Sequence, residues 1–219
     1  MELFSKKYRF RFMVAIIMNM ARQLSGTNFL TFFSTKLFNS ISGNGQEMTI
    51  VIGATNIVGG IIGIFTIRRL GRRFNLITGV IAQIIGFSLL IIGYEYKIGI
   101  LSIISVLSYI IGYAISLGGT MPIFAAEIVP AAGVGIGGSL QWLVASILGK
   151  VSPIITDKYG NVVMIAFFII MLVLSLFFIN YACIETSGLS KEDIDVIYEG
   201  KVTADGKSHH FNPLKFTSS

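Results

Sequence analysis

Charge and cysteine are both scarce in this sequence. Only 13% of its 219 residues are charged, whereas a soluble domain carries about a quarter. Hydrophobic residues make up 53% of the chain, which excludes a disordered protein. The single cysteine, Cys183, excludes a scaffold held by internal disulfides. No Asp or Glu lies in the middle of a long apolar run. Together these features indicate a chain that lies in a lipid bilayer.

Six apolar runs fill most of the chain, and a membrane-spanning helix needs about 20 apolar residues. The runs cover residues 12–37, 48–67, 76–94, 98–129, 134–156 and 162–184. They are continuous rather than alternating, which excludes strands of a membrane barrel. The first run is interrupted at Gly26, and the fourth at Gly118, Gly119 and Pro122. Interrupted helices at matching places in two halves are typical of transporters. We therefore predict an all-α membrane protein with six transmembrane helices, arranged as two inverted three-helix repeats.

Basic residues outnumber acidic ones by 17 to 11, and they cluster in the gaps between apolar runs, at residues 6–11 and 68–73. This pattern argues against a nucleic-acid partner, which would need a basic face on a soluble domain. The positive-inside rule places both termini in the cytoplasm. We therefore expect a cytoplasmic basic arm at 1–11, a six-helix transmembrane bundle at 12–184 and a cytoplasmic tail with a short helix at 185–219.

Both ends of the chain carry further local signals. The basic start followed by an apolar run resembles a signal peptide, but the apolar pattern resumes after Arg22 and favours a retained first span. In the tail, Ser190 can cap a short helix together with Asp193. We expect this helix to lie against the cytoplasmic ends of the spans. His209 and His210 are adjacent, but no further ligands stand at a suitable spacing, so we predict no metal site.

Polar side chains interrupt the apolar runs at a few places. Asn19 and Gln23 share one helix face, and a bend at Gly26 could turn Asn28 toward the same cavity. The later runs contain Asn56, Gln141 and Trp142. Small polar residues in membranes often only bond neighbouring helices, and this interpretation stays open for each residue taken alone. As a set, these residues predict a polar-lined path.

Arg22 is the costliest of the polar residues, because a charge at the centre of a membrane helix costs about 2.5 to 3.5 kcal/mol. No acid lies mid-span in this chain to pair with it. Its partner would be water, a backbone carbonyl, an anionic substrate or an acid on another polypeptide. Alternatively, the side chain extends to the membrane interface.

The sequence carries no signature of catalysis. No Ser-His-Asp or Cys-His set can be assembled with any specificity. The glycine-rich segment 133–138 resembles a dinucleotide-binding loop only superficially, because no strand precedes it. Small residues that allow close helix contact explain this segment better. We therefore expect no enzyme activity, no cofactor and no metal.

Five motifs, in this order, resemble those of the sugar porters of the major facilitator superfamily, the glucose-transporter family. Segment 23–28, QLSGTN, resembles the QQLSGIN motif of the seventh family helix. Segment 69–73, RLGRR, matches the RxGRR loop between helices eight and nine. Segment 121–127 is similar to part of helix ten, residues 141–142 to an Asn-Trp pair of helix eleven, and segment 185–188 to the PETKG signature after helix twelve. The resemblance covers nearly the whole chain, but only the C-terminal half of the family.

The resemblance implies roles for individual positions. The expected substrate-binding set comprises Gln23, Asn28, Asn56, Gln141, Trp142 and Arg22. In the family, amides at positions 23, 28 and 56 contact sugar hydroxyls, and an aromatic residue at position 142 lies near the site. A cluster of charges at the cytoplasmic face latches the outward-open state of the family. Here that latch would comprise Arg69, Arg72, Arg73, Glu127 and Glu185.

We therefore expect one half of a carrier that moves a hexose-like sugar by alternating access, in the plasma membrane by family default. The family places its substrate between two six-helix bundles. The expected partner is thus an N-terminal half or a second copy, unless the chain is a fragment of a longer carrier. Two alternatives stay open. Arg22 stands where the first Gln of the motif belongs, which favours a carrier of an anionic or other non-sugar solute. The missing half favours a non-transporting membrane subunit or regulator.

Overall fold

Helices account for nearly all of the residues that the computed structural model describes, which are 6–31, 33 and 45–198. These residues contain no β-strand. Predictions that concern residues 199–219, including those for His209 and His210, lie outside the described residues. The same holds for the start of the basic arm and for the end of the first apolar run.

The helices follow one another with short connections. In chain order they are α1 (Lys6–Leu24), α2 (27–31 and 33), α3 (Gly45–Leu70), α4 (Arg72–Glu95), α5 (Gly99–Tyr113), α6 (Met121–Ile128), α7 (Ala131–Tyr159), α8 (Asn161–Ala182) and α9 (Lys191–Tyr198). A π-helical segment, Ala114–Thr120, joins α5 to α6.

Five of the described helical stretches are long and apolar enough to cross a membrane. They are Thr49–Leu70, Arg72–Glu95, Gly99–Ile128, Ala131–Tyr159 and Asn161–Ala182. Their outer faces carry large apolar side chains such as Ile57, Ile100 and Phe177, each at least 67% exposed, which suits contact with lipid. The first predicted run falls on α1 and α2, which are separated at Gly26. A sixth span and the arrangement as two repeats stay predictions.

The fourth predicted span departs from the α-helical pattern around Gly118 and Gly119, where the sequence predicts an interruption, but the chain stays helical there. Around Gly118 and Gly119 the chain adopts the wider π-helix, and the Met121 N–H donates to the Ser116 carbonyl five residues earlier. Pro122 follows in the first turn of α6. Proline lacks an N–H and crowds the preceding turn. The widened turn accommodates both effects without ending the helix, which is a common role of such segments.

Small residues allow α3 to lie close to the π-helical segment. A Cβ atom built on Gly59 would lie 2.8 Å from the Cβ atom of Ala114, and one built on Gly63 would lie 3.4 Å from the Cα atom of Ile115. Close backbone approach of this kind is how membrane helices gain packing energy. Elsewhere α4 packs along α5 and α8, and α1 packs along α7.

An aromatic core lies where α4, α5 and α8 meet. Phe87 packs between Tyr109 and Phe168, with ring centroids 4.3 Å and 6.1 Å away. All three side chains are fully buried. The Phe168 ring also packs against Phe29 of α2, with ring centroids 5.4 Å apart. The core therefore supports the chain on either side of the junction between α1 and α2.

The short helix α9 begins with the capping box expected from its sequence. The Asp193 N–H donates to the Ser190 hydroxyl at 3.1 Å, and the Ser190 N–H donates to the Asp193 carboxylate at 3.1 Å. Its apolar face packs inward, with Ile194 and Tyr198 buried. This pairing satisfies two otherwise free donors at the helix start, and α9 contacts α6.

Candidate substrate-binding site

The junction between α1 and α2 depends on one glycine. Gly26 has a φ of +87°, a backbone conformation that other residues rarely adopt. A Cβ atom at this position would lie 2.6 Å from Cγ of Phe168. The chain resumes its helix directly afterwards, with the Leu30 N–H donating to the Gly26 carbonyl at 2.9 Å. The junction brings the two flanking amides together, and Asn28 Nδ2 donates to Gln23 Oε1 at 3.1 Å.

Two tyrosines of α5 hold the end of α1. The Tyr109 hydroxyl donates to the Ser25 carbonyl at 2.7 Å, and the Tyr113 hydroxyl accepts from Arg22 Nε at 3.2 Å. The tyrosines are four residues apart and therefore share one helix face. The sequence analysis missed both. One sequence signal for these tyrosines is their spacing of four residues just before Gly118 and Gly119. This signal is weak on its own.

A polar cavity of about 340 Å³ opens beside this junction, between α1, α2, α6, α7 and the end of α5 at Tyr113. Its polar and aromatic lining includes Asn19, Arg22, Gln23, Asn28, Gln141 and Trp142. Three of the amide side chains are nearly buried, with exposed fractions of 7% for Asn19, 8% for Gln23 and 6% for Gln141. None of the described residues that line the cavity is acidic.

The structure thus brings together five of the six residues in the expected substrate-binding set. The exception is Asn56, which is exposed on α3 and does not line this cavity. Trp142 lines the cavity but is 68% exposed. Asn19 lines the cavity although the expected set did not include it. Its Nδ2 atom donates to the Ala15 carbonyl at 2.8 Å, which orients the amide.

A second cavity, of about 370 Å³, lies on the other side of the Gln23–Asn28 pair. Its lining is mainly apolar and includes Phe29, Phe33 and Phe168 together with residues of α7. The hydrogen-bonded amide pair lines both cavities. The side chains of this pair are therefore the only polar feature that the two spaces share among the described residues.

Four of the five expected latch residues form one network around the N-terminus of α4. Arg72 Nη2 and Glu127 Oε1 form an ion pair at 2.7 Å. The second Glu127 oxygen accepts from the Thr186 hydroxyl at 2.6 Å, and Arg72 Nη1 donates to the Ser187 hydroxyl at 2.9 Å. These contacts join the ends of α4 and α6 to the segment that follows α8.

The carboxylate of Glu185 caps the N-terminus of α4. Its two oxygens accept from the backbone N–H groups of Arg72 at 2.9 Å and Arg73 at 3.1 Å. A helix N-terminus favours a negative charge. Gly71 makes room for the carboxylate, because a Cβ atom there would lie 2.6 Å from the Glu185 carboxyl carbon. Arg69 lies exposed on the last turn of α3, outside this network.

Helix α9 is fastened to the start of α1 by Arg11. This side chain is only 2% exposed, and it forms an ion pair with Asp195. Its guanidinium also lies 5.0 Å from the ring centroid of Tyr198 and 5.3 Å from that of Tyr8. Nearby, burial raises the pKa of the Cys183 thiol to about 12, and burial also raises the pKa of Tyr198. Sequence analysis placed α9 near the spans but did not identify this contact.

The family model described as sugar (and other) transporter matches residues 1–198. The chain belongs to the sugar porter family of the major facilitator superfamily. The prediction made from the five ordered motifs is therefore confirmed, and members of this family are multi-pass membrane proteins that act as carriers rather than enzymes.

The sugar porter relatives are similar over nearly all of the chain. It is 28% identical over 209 residues to facilitated glucose transporter member 2 of Gallus gallus, covering 90% of this chain and 39% of that protein. It is 28% identical over 218 residues to a facilitated trehalose transporter of Polypedilum vanderplanki, covering 93% and 43%. The chain thus spans about two fifths of the length of these curated relatives.

Solved structures of a sugar porter share the fold. The inward-open xylose transporter XylE from E. coli matches with a TM-score of 0.76 at 21% identity, covering 89% of this chain and 44% of that one. A double tryptophan mutant of XylE matches with a TM-score of 0.78 at 21% identity, covering 85% and 42%. At this identity the likeness establishes the helical fold of a major facilitator protein and nothing finer.

Proposed function

We propose that this chain forms one half of a carrier that moves a hexose-like sugar across a membrane by alternating access. The observation that carries the proposal is the polar cavity, where the nearly buried amides of Asn19, Gln23 and Gln141 converge. Each neutral amide supplies both donors and acceptors, and none has a charge to desolvate. Such a lining suits a ligand with several hydroxyl groups. Family membership and the glucose and trehalose carriers among its relatives support the same substrate class.

In this proposal, Gln23, Asn28 and Gln141 hydrogen-bond the sugar and Trp142 packs against its ring. Asn56, on α3, contacts the sugar only when a second bundle completes the site. Asn56 and Trp142 are both exposed here, as expected for residues that face a further bundle. That bundle is an N-terminal six-helix half or a second copy of this chain. With α1 and α2 as the sixth crossing, the chain itself forms two inverted three-helix repeats.

The charge network is proposed to act as the latch of the outward-open state. Arg72, Arg73, Glu127 and Glu185 already form one network that joins three chain segments, namely α4, α6 and the residues after α8, so these segment ends can move as one unit. Arg69 would join by contacting the second bundle. This assignment places the network and both termini on the cytoplasmic side, in agreement with the basic clusters. The proposed membrane is the plasma membrane, which is the family default.

Hexose uptake tests the proposal. The chain is coexpressed with the N-terminal six-helix bundle of a sugar porter in cells that lack their own hexose carriers, and uptake of labelled glucose is measured. Gln23→Ala and Asn28→Ala should each reduce uptake at least tenfold. The control is Asn180→Ala, since Asn180 is an exposed amide on α8 that bonds within its own helix.

Two results would contradict the proposal in different ways. If both substitutions leave uptake unchanged, the site assignment is wrong although transport stands. If no uptake occurs with the chain correctly inserted and paired, the non-transporting role gains support. Crosslinking in native membranes would then show whether a stable non-carrier protein accompanies the chain.

A further inference from the structure

Arg22 introduces a positive charge into a cavity that is otherwise lined by neutral groups. The described lining residues include no Asp or Glu. The hydrogen bond that fixes the Arg22 side chain runs from Nε to the Tyr113 hydroxyl, at 3.2 Å. A neutral hydroxyl orients the guanidinium but does not compensate its charge. The position at the last turn of α1 favours a cation through the helix dipole, yet that effect supplies only a fraction of a counter-charge.

The hydrogen bond to Tyr113 leaves the two terminal nitrogens of Arg22 available to bind a ligand. Tyr113 engages Nε, which lies on one side of the planar guanidinium. The two terminal nitrogens can then donate in parallel to both oxygens of a carboxylate, which is the geometry that arginine favours for such groups. A charge in a partly desolvated site also gains more from an anion than it would in water.

The rest of the cavity is built for hydroxyl groups. Asn19, Gln23 and Gln141 are nearly buried, and each lines the same space as Arg22. A neutral sugar would satisfy these amides and leave the charge of Arg22 without a partner. A simple anion would satisfy Arg22 but would not bond the amide atoms that the internal hydrogen bonds of Asn19 and Gln23 leave available, which is unfavourable. The cavity volume of about 340 Å³ lies within the range of small-molecule sites.

We infer that the ligand of this cavity is a sugar acid, that is, a hydroxylated monocarboxylate such as a hexuronate. Arg22 binds the carboxylate, and the amides of Asn19, Gln23 and Gln141 bind the hydroxyl groups. This inference rests on the proposed role of the cavity as a sugar site and narrows its substrate class.

Trp142 provides a direct readout of ligand binding. It is the only tryptophan in the chain, and it lines the cavity beside Gln141. The full chain in neutral-lipid nanodiscs is titrated with glucuronate, glucose and cyclohexanecarboxylate, and tryptophan fluorescence and calorimetric heat are followed together. We expect glucuronate to bind at least tenfold more tightly than glucose. Cyclohexanecarboxylate carries the charge without the hydroxyl groups, and it should bind at least tenfold more weakly than glucuronate.

Substitutions at Arg22 separate charge from hydroxyl recognition. Arg22→Gln should remove the preference for glucuronate while glucose binding persists, because the amide lining is intact. Arg22→Lys should keep part of the preference, since the charge remains but the bidentate geometry is lost. The control is Arg68→Gln, the same change at an exposed arginine on α3, which should leave the preference unchanged. Circular dichroism checks that each variant keeps its helices.

The possible outcomes test the sugar-acid inference and the proposed sugar site separately. Equal binding of glucose and glucuronate by the unmodified chain overturns the sugar-acid assignment and leaves the neutral-sugar site standing. A preference that persists in Arg22→Gln has the same consequence. If cyclohexanecarboxylate binds as tightly as glucuronate, the cavity is a general anion site. If none of the three compounds binds to the folded chain, either alone or paired with the N-terminal bundle of the uptake experiment, the sugar site itself falls, and the inference with it.

Discussion

The Tyr109 hydroxyl donates a hydrogen bond of 2.7 Å to the carbonyl of Ser25, across 84 positions of sequence. Both residues are completely buried. A helix that ends inside a membrane protein leaves backbone carbonyls without partners, and each must be satisfied within the protein. Here a side chain of α5 supplies the missing donor. The end of α1 and the amides beside it are therefore positioned by α5 together with the local bend at Gly26.

Replacing Tyr109 with phenylalanine should weaken this arrangement. Tyr109→Phe keeps the ring in the aromatic core but leaves the Ser25 carbonyl buried without its donor, so we expect the free energy of unfolding to fall by about 1–3 kcal/mol. Thermal unfolding in detergent measures the effect. Tyr96→Phe is the matched control, since Tyr96 is 75% exposed. Equal midpoints for both variants would mean that this hydrogen bond does not hold the junction.

Gly26 should tolerate no side chain. Gly26→Ala meets both an unfavourable φ and the Phe168 ring, so we expect a loss of about 2–4 kcal/mol of stability from strain and overpacking together. Gly53→Ala is the control, because a Cβ atom there has nothing within 4 Å and alanine favours helix. Combining Gly26→Ala with Phe168→Leu should recover only part of the loss, since the backbone strain remains. Full recovery would show that the φ value carries no cost.

Two residues of the expected latch, Glu185 and Arg69, should contribute differently to stability. Glu185→Ala removes a charged acceptor from three backbone N–H groups, those of Arg72, Arg73 and Ser187, so we expect a loss of about 1–3 kcal/mol in the stability of the chain. Arg69→Ala changes an exposed side chain and should alter stability by no more than about 0.5 kcal/mol. Chemical denaturation of the two variants, compared with the unmodified chain, measures both. A larger effect at Arg69 than at Glu185 would refute this ranking.

The reactivity of Cys183 reports whether α9 is docked. Burial raises the pKa of its thiol to about 12. At pH 8 only about 1 thiol in 10,000 is then ionised, whereas about a quarter would be at an ordinary pKa of about 8.5. We therefore expect maleimide to label the folded chain at least 100-fold more slowly than the denatured chain. Because the chain has no other cysteine, the rate belongs to this residue alone.

Removal of the Tyr198 side chain, which belongs to the same buried core as Cys183, should expose that thiol. Tyr198 of α9 is buried and interacts electrostatically with Cys183, so Tyr198→Ala should raise the labelling rate at least tenfold at constant pH. Tyr159→Ala, at a tyrosine that is 60% exposed, should not. Rapid labelling of the unmodified chain at pH 8 would show that α9 does not shield the cysteine.

Local sequence was sufficient for features that depend on neighbouring residues. The later apolar runs coincide with helices because burial in lipid requires long, continuous apolar segments. The capping box of α9 was predictable because Ser190 and Asp193 are three residues apart and bond each other directly. The family was predictable because its motifs occupy short segments in a fixed order, and the match over residues 1–198 confirms it.

The fourth predicted span shows what local sequence leaves undecided. Paired glycines and Pro122 are helix-breaking residues in isolation. The chain nevertheless stays helical through Ala114–Thr120, because the wider π-helical turn makes room for the proline that follows it. Whether a turn widens or breaks depends on the helices packed around it, and here α3 lies against the segment at Gly59 and Gly63.

Sequence by itself determined the class of this protein, its family, its long helices and the neutral amides available for a polar site. The tertiary structure decided which of those amides share a cavity, which hydroxyl fixes Arg22 and which carboxylate caps α4. Those partners lie 91 residues apart for Arg22 and Tyr113 and 113 residues apart for Arg72 and Glu185. Apolar patterns are local and can be seen in a short window. The choice of a hydrogen-bond partner depends on how separate helices pack, and it becomes visible only when they are brought together.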